Sequence, residues 1–257
     1  GAGLLPSDTT YYRANSVATR LEPGDFDFDA LFGNDGVRVF NTGGILTLIG
    51  ANTADLAVEA AQKAAEHGVF VSADLNYRSK VEPNKDRAQA INRRLAPYLG
   101  LLVGNDSDLA DALGYETHGA KGDSFDEWLP AYKETIKEVA RDFPNLSLIG
   151  TQWRGARNAD IIGWGAALCD TLNDEWHVAA LREDIPIRDR TGGGDSFASG
   201  VLSAILKGHD LDTAVNWGAA HGILMQETAG DTTMVNQATV EKEVARALAG
   251  GGVKATR

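Results

Sequence analysis

The sequence predicts an α/β protein built on a largely parallel β-sheet with helices on both faces. Three observations carry that expectation. Short apolar runs alternate with stretches of helical spacing along most of the chain, the pattern of strands joined by helical crossovers. With 257 residues the chain is long enough to bury the core of one large domain. Its 43% hydrophobic and 23% charged residues are the ordinary balance of a globular protein.

The elements follow in order. Val37–Asn41 and Ile45–Ile49 read as β-rich runs, and Asn52-Thr53 then reads as a helix cap. From Asp55 to His67, Leu56, Val58, Ala60, Ala61 and Ala64 recur at helical spacing, and Gly68 stops the helix. Val69–Ala73 is a buried strand that ends in Asp74-Leu75-Asn76. A helix is predicted over Asp86–Leu95, a strand over Leu101–Val103, and a short helix over Asp106–Leu113, closed by Gly114. Ser124 to Phe143 carries Trp128, Tyr132, Ile136 and Val139 on one side of a long amphipathic helix. Leu146–Gly150 is the next strand. Shorter, antiparallel strands are expected from Trp164 to Val178, then helices over Phe197–Lys207, Asp212–Thr228 and Val240–Leu248. In parallel sheets ligands bind beyond the carboxyl ends of the strands, which singles out Asn41, Asp74 with Asn76, Asn105 and Thr151.

Charge and cysteine content bound the function. A net charge of −12 opposes broad contact with nucleic acid or anionic membrane, so neither is expected as a partner. The one cysteine, Cys169, cannot form an internal disulfide. Its small, apolar neighbours predict a buried thiol. No stretch approaches the roughly 20 apolar residues of a membrane span, and the first residues lack the pattern of a signal peptide. The expected location is the cytoplasm.

The chemistry concentrates in Asp189-Arg190-Thr191-Gly192-Gly193-Gly194-Asp195-Ser196-Phe197-Ala198-Ser199-Gly200. Three glycines run straight into a helix with an aspartate in its first turn. Glycine lets several N–H groups converge on one point, and the positive end of the helix dipole makes that point an anion hole. Such a hole suits phosphoryl transfer, and Asp195 beside it is placed to take a proton from an attacking hydroxyl. A plain glycine-rich turn before an ordinary helix-capping aspartate would give the same short string. The segment is not a Walker A loop, because no Gly-Lys-Ser/Thr follows.

The longer pattern, Asp-x-Thr-Gly-Gly-Gly-Asp-Ser-Phe before a helix of small residues, resembles the C-terminal signature of the ribokinase/PfkB sugar kinases. Its Arg-x-Gly-Gly-Gly-Asp form is similar to that of the 2-keto-3-deoxygluconate kinases. The resemblance implies a ribokinase-like three-layer α/β/α fold, with a mainly parallel central sheet and a small β lid. It implies Asp195 as catalytic base, the N–H groups of Gly192, Gly193 and Gly194 as the anion hole, and Asp189 and Thr191 as a site for a monovalent cation such as K⁺. Tyr11-Tyr12-Arg13 resembles a lid strand that meets a sugar acid through Tyr11 and Arg13. Asp74-Leu75-Asn76-Tyr77-Arg78 resembles a strand end whose Asn76 and Arg78 reach the substrate. Two arginines converging on one ligand suit a carboxylate, which a guanidinium fork holds with two hydrogen bonds.

Asn105-Asp106-Ser107-Asp108 falls where the family carries Asn-x-x-Glu, which implies a water-mediated Mg²⁺ role for Asn105 and Asp108; a helix cap with acids in its first turn reads equally well. Asn105, Thr151, Arg154 (with Arg157 close by), Gly192, Gly194 and Gly222 match the nucleotide side. The implied reaction is ATP- and Mg²⁺-dependent phosphorylation of the terminal hydroxyl of 2-keto-3-deoxygluconate. Another sugar or nucleoside kinase of the family, acting for instance on fructose or ribose, or a truncated relative that binds nucleotide without turnover, are the alternatives. Family members carry roughly a hundred further residues ahead of this point. Residues 1–16 are therefore expected to be a residual lid strand, and 17–257 the C-terminal majority of the domain. Homo-oligomers are expected when the lid is complete.

Overall fold

The computed structural model describes residues 10, 12, 13, 15–33, 36–117 and 124–250. The described residues divide into two compact units, one of those up to residue 149 with 171–173, the other of residues 150–170 and 174–250.

The first unit contains α1 (Phe28–Phe32), β1 (Val39–Gly43), α2 (Gly44–Leu48), α3 (Ala51–Glu66), β2 (Phe70–Asp74), α4 (Lys85–Leu95), β3 (Leu101–Val103), α5 (Asp106–Leu113) and α6 (Phe125–Asp142). Its strands are parallel. Gly43 pairs with Asp74 and Asp74 with Val103, so three strand ends share one edge, where ligands are expected in such sheets. Leu101, Leu102 and Val103 are buried between helices. The run Ala54, Ala57, Ala60, Ala61 and Ala64 lets α3 sit close to its neighbours. Gly68, at φ +71°, ends that helix as the sequence predicts.

Two sequence expectations fail here. Ile45–Ile49 is not a strand: Gly44–Leu48 is helical, and the Ile49 N–H bonds to Ile45 O. A run apolar throughout has no period to separate the two states. The decisive contact is tertiary, since a Cβ on Gly44 would lie 1.7 Å from Leu75 O. Nor does Asn52 cap α3. Gly50 is the cap residue, and the Asn52 amide instead donates to Thr19 O (3.0 Å) and Leu21 O (2.7 Å). Of the stretch expected as a lid strand, the described residues Thr10, Tyr12, Arg13, Asn15 and Ser16 lie outside regular structure.

The second unit takes up β4 (Leu148–Ala156) from Gly150 onward. It continues with β5 (Ile161–Asp170), β6 (Glu175–Val178), β7 (Arg182–Pro186), α7 (Gly193–Leu206), α8 (Leu211–Met225) and α9 (Gln237–Leu248). β5 pairs antiparallel with both β6 and β7; the sequence pattern showed the first and missed β7. Cys169 is buried on β5. Helices α7 and α8 press together through glycine, since a Cβ on Gly200 would stand 2.8 Å from Gly218 Cα. Helix α9 is held by Glu243, which accepts from Arg182 of β7 (2.9 Å) and from Arg246 (2.6 Å). Among the described residues no helix is long and apolar enough to cross a membrane.

Candidate active site

In the second unit the glycine run is the opening of α7. Gly192 is the cap residue at φ +78°, a left-handed conformation that favours glycine. Gly193 and Gly194 are the first helical residues, and the Ser196 N–H closes the first turn on Gly192 O at 2.9 Å. A helix leaves its first N–H groups without an intrahelical acceptor, so these N–H groups and the dipole favour an anion. Asp195 lies in that first turn with its side chain exposed.

The C-terminal end of α8 seats the run. Cβ atoms at 192 and 193 would each meet a side chain of α8 or its cap, Met225 and Gln226, at 3.2 Å. Gly222 is tighter: its Cβ would stand 2.7 Å from Trp164 Cζ2 and 3.0 Å from Gly193 O. The space at Gly222 is thus taken by packing against Trp164 and the glycine run. Buried Gln226 supplies the other brace. Its carbonyl accepts the N–H groups of Arg188 (2.8 Å) and Asp189 (3.1 Å), and its amide donates to Gly222 O.

Other residues expected from the sequence to meet a nucleotide or a cation lie in the same unit. Asp189 accepts from the Thr191 N–H and hydroxyl (2.9 and 2.7 Å) and from the Gly230 N–H (3.0 Å). The Gly230 N–H foremost, with those of Thr191, holds the carboxyl below its ordinary value. Asp189 and Thr191, expected from the sequence to hold a monovalent cation, are neighbours here, with Asp189 Oδ1 taken by Thr191 and Oδ2 by Gly230. Arg190 is tied to the β4–β5 turn through Asn158 O at 2.7 Å. Thr151 is buried on β4. The Arg154 guanidinium lies over Trp164, 5.5 Å from the ring centroid, and so on the same indole that packs against Gly222. Arg157, the competing arginine, pairs with Asp184 at 2.7 Å.

The first unit carries Asn76 and Arg78, expected from the sequence to reach a substrate, at the exit of β2. Asn76 takes φ +38°, and its N–H bonds to Asp74 Oδ1 at 3.2 Å. Arg78 is exposed, with one guanidinium N–H on Tyr77 O at 2.7 Å. Arg78 O accepts the N–H groups of Val81 and Glu82, which closes the following turn. Arg13 is exposed, and Tyr11 lies outside the described residues. Asn105 and Asp108 form a reciprocal capping box at the start of α5. Asn105 Oδ1 accepts the Asp108 N–H, Asp108 Oδ2 accepts the Asn105 N–H, and Asp108 Oδ1 accepts the Tyr77 N–H. Burial pushes the Asp108 carboxyl up, against the N–H groups of Asn105 and Tyr77 and the Arg78 charge. With these oxygens committed to backbone N–H groups, the pair does not fit a directly bound metal. Among the described residues no group of three His, Cys, Asp or Glu is placed to hold a metal ion.

The sequence pattern missed three supports: Trp164, Gln226, and the reach of Asp108 to Tyr77. All are tertiary contacts without a local signature.

A family profile described as pfkB family carbohydrate kinase matches residues 10–238. The chain is 26% identical over 251 residues to a 2-dehydro-3-deoxygalactonokinase of Haloferax volcanii, covering 98% of this chain and 69% of that protein. The solved 2-dehydro-3-deoxygluconokinase of Thermotoga maritima superposes with a TM-score of 0.85 at 30% identity, over 95% of this chain and 71% of that one. A pfkB family carbohydrate kinase from Listeria grayi superposes with a TM-score of 0.82 at 22% identity, over 95% and 71%. The ribokinase-like α/β class expected from the sequence is the class of these structures.

Proposed function

The chain belongs to the pfkB family of carbohydrate kinases, and from that premise we propose that it transfers the γ-phosphoryl group of ATP to the terminal hydroxyl of 2-keto-3-deoxygluconate. The observation that carries the reading is the opening of α7, with Gly192 in the left-handed cap, Gly193 and Gly194 following, and Asp195 exposed in the first turn. Asp195 takes the hydroxyl proton. The freed oxygen bonds to the γ-phosphorus as its bond to the β-phosphate oxygen breaks, and ADP leaves with that electron pair. The N–H groups of Gly192, Gly193 and Gly194 meet the charge on the transferring group. Arg13 and Arg78 grip the carboxylate of the sugar acid, with Tyr11 and Asn76 beside them. Thr151, Arg154 and Gly222 of the second unit are assigned to the nucleotide, as is Asn105 of the first.

Mg²⁺ entering with ATP would offset phosphate charge, and K⁺ at Asp189 and Thr191 would support the glycine run. A cytoplasmic location and a homo-oligomeric assembly belong to the same reading. The C4 epimer, 2-keto-3-deoxygalactonate, is a second reading, favoured by the likeness to the Haloferax volcanii kinase. ADP release with ATP, Mg²⁺, K⁺ and a panel of both keto-sugar acids, ribose, fructose and adenosine tests these readings. Turnover confined to keto-sugar acids is expected, and their relative kcat/KM ranks the epimers. Turnover with a neutral sugar alone, or ATP binding without turnover, would overturn the proposal.

A further inference from the structure

Within the first unit, the turn over residues 74–78 is held from outside. Asn76 occupies the left-handed region at φ +38°, a conformation that costs a non-glycine residue roughly 1 kcal/mol or more and persists only where its surroundings impose it. Within the turn the Asn76 N–H bonds to Asp74 Oδ1 at 3.2 Å and the Arg78 guanidinium to Tyr77 O at 2.7 Å. The anchor from outside is Asp108, 31 positions further along the chain, whose Oδ1 accepts the Tyr77 N–H at 3.0 Å. Tyr77 is the residue between Asn76 and Arg78.

Asp108 is itself immobilised. It is 7% exposed, its Oδ2 accepts the Asn105 N–H at 3.2 Å, and its own N–H donates to Asn105 Oδ1 at 2.9 Å. A Cβ on Gly104 would meet Leu75 Cδ1 at 2.9 Å and Asp108 Cβ at 3.5 Å, so glycine there lets the end of β3 close on the exit of β2. The Tyr132 hydroxyl of α6 donates to Gly104 O at 2.9 Å and fixes that peptide. A cap needs only the exchange between Asn105 and Asp108. The extra bond to Tyr77 couples the start of α5 to the turn that presents Arg78.

We propose that Asp108 is a positioning residue: its carboxylate clamps the Tyr77 N–H so that the Arg78 guanidinium meets the substrate carboxylate, and it acts in the reaction through this clamp and not as a metal ligand. The inference rests on the reading of Arg78 as a carboxylate contact.

The test compares wild type, Asp108→Ala, Asp108→Asn, Arg78→Ala and the Asp108→Ala/Arg78→Ala double variant. It reads KM for the keto-sugar acid, half-saturating Mg²⁺, and amide exchange at Tyr77. Asp108→Ala is expected to raise the sugar-acid KM about tenfold or more, in line with the cost of misplacing a binding group, while half-saturating Mg²⁺ moves less than about twofold. Tyr77 exchange should accelerate about tenfold or more, as when a protecting bond is lost. In the Arg78→Ala background the same substitution should add little, because the two act as one unit. Asp108→Asn keeps one acceptor and should fall between, and it serves if the alanine variant does not fold. A shift in half-saturating Mg²⁺ at unchanged sugar-acid KM overturns the inference, as do full additivity in the cycle or unchanged Tyr77 exchange. The underlying reading fails separately, if Arg78→Ala alone leaves the sugar-acid KM at the wild-type value.

Discussion

Gly222→Ala should disable the anion hole from behind. The added methyl would stand 2.7 Å from Trp164 Cζ2 and 3.0 Å from Gly193 O. Carbon atoms prefer about 3.5–4.0 Å, so roughly 1 Å of overlap must be relieved. Trp164 cannot easily give way: it is fully buried, and its indole N–H bonds to Ala219 O at 3.0 Å. The remaining route moves the end of α8 away from the glycine run, and Gln226 moves with it. Overpacking of this kind costs about 1–3 kcal/mol of stability. A displacement near 1 Å at groups that meet the transferring phosphoryl costs up to about 10²-fold in rate. Steady-state kinetics with saturating sugar acid, alongside a thermal melt, separate the two effects. The expected result is a kcat loss of about tenfold to a hundredfold in a protein that still melts cooperatively. Wild-type kcat and ATP KM in a folded Gly222→Ala protein would refute the reasoning.

Other expectations follow from the same geometry. Arg154→Ala should raise the ATP KM about tenfold, the worth of a lost charged contact, whereas Arg157→Ala, which loses an exposed pair with Asp184, should leave it within about twofold; equal effects would contradict the assignment. Glu243→Ala strands Arg182, which is 4% exposed, and should destabilise the protein by roughly 3–5 kcal/mol in chemical denaturation. The pH dependence follows with a definite sign. Burial pushes the Glu243 carboxyl up, but the hydrogen bonds and charges of Arg246 and Arg182 outweigh it, and the net shift lies below the ordinary 4.5. This stabilisation is therefore complete above the unfolded value and lost as pH falls through the folded one. Melts between pH 6 and 3 should fall more steeply in wild type than in Glu243→Ala, and parallel curves would count against the clamp.

The parts of the fold legible in the sequence were those with their own period or punctuation. Helix α5 closes at Gly114, in the left-handed region at φ +81°, and α6 opens on Ser124, whose hydroxyl accepts the Glu127 N–H; both follow from local chemistry. Helix α2 was not legible, because an all-apolar run takes its conformation from the partner it meets, here Leu75 O against Gly44. Strand β7 was missed because Arg182-Glu183-Asp184 carries no apolar alternation, while its pairing with β5 and the buried bond from Arg182 to Glu243 are long-range. The glycine run announced itself in the sequence. The groups behind it, Trp164 on β5 and Gly222 with Gln226 at the end of α8, meet the run only once the chain has folded.

The central claim is that Asp195, at the mouth of the glycine run, is the base of a sugar-acid kinase. Single-turnover and steady-state kinetics of Asp195→Asn with ATP, Mg²⁺ and 2-keto-3-deoxygluconate test it most directly. Asparagine keeps the shape and removes the proton acceptor, so kcat should fall by about 10²–10⁴, with the ATP dissociation constant near that of wild type. A kcat within about tenfold of wild type would contradict the claim and place the proton acceptor elsewhere.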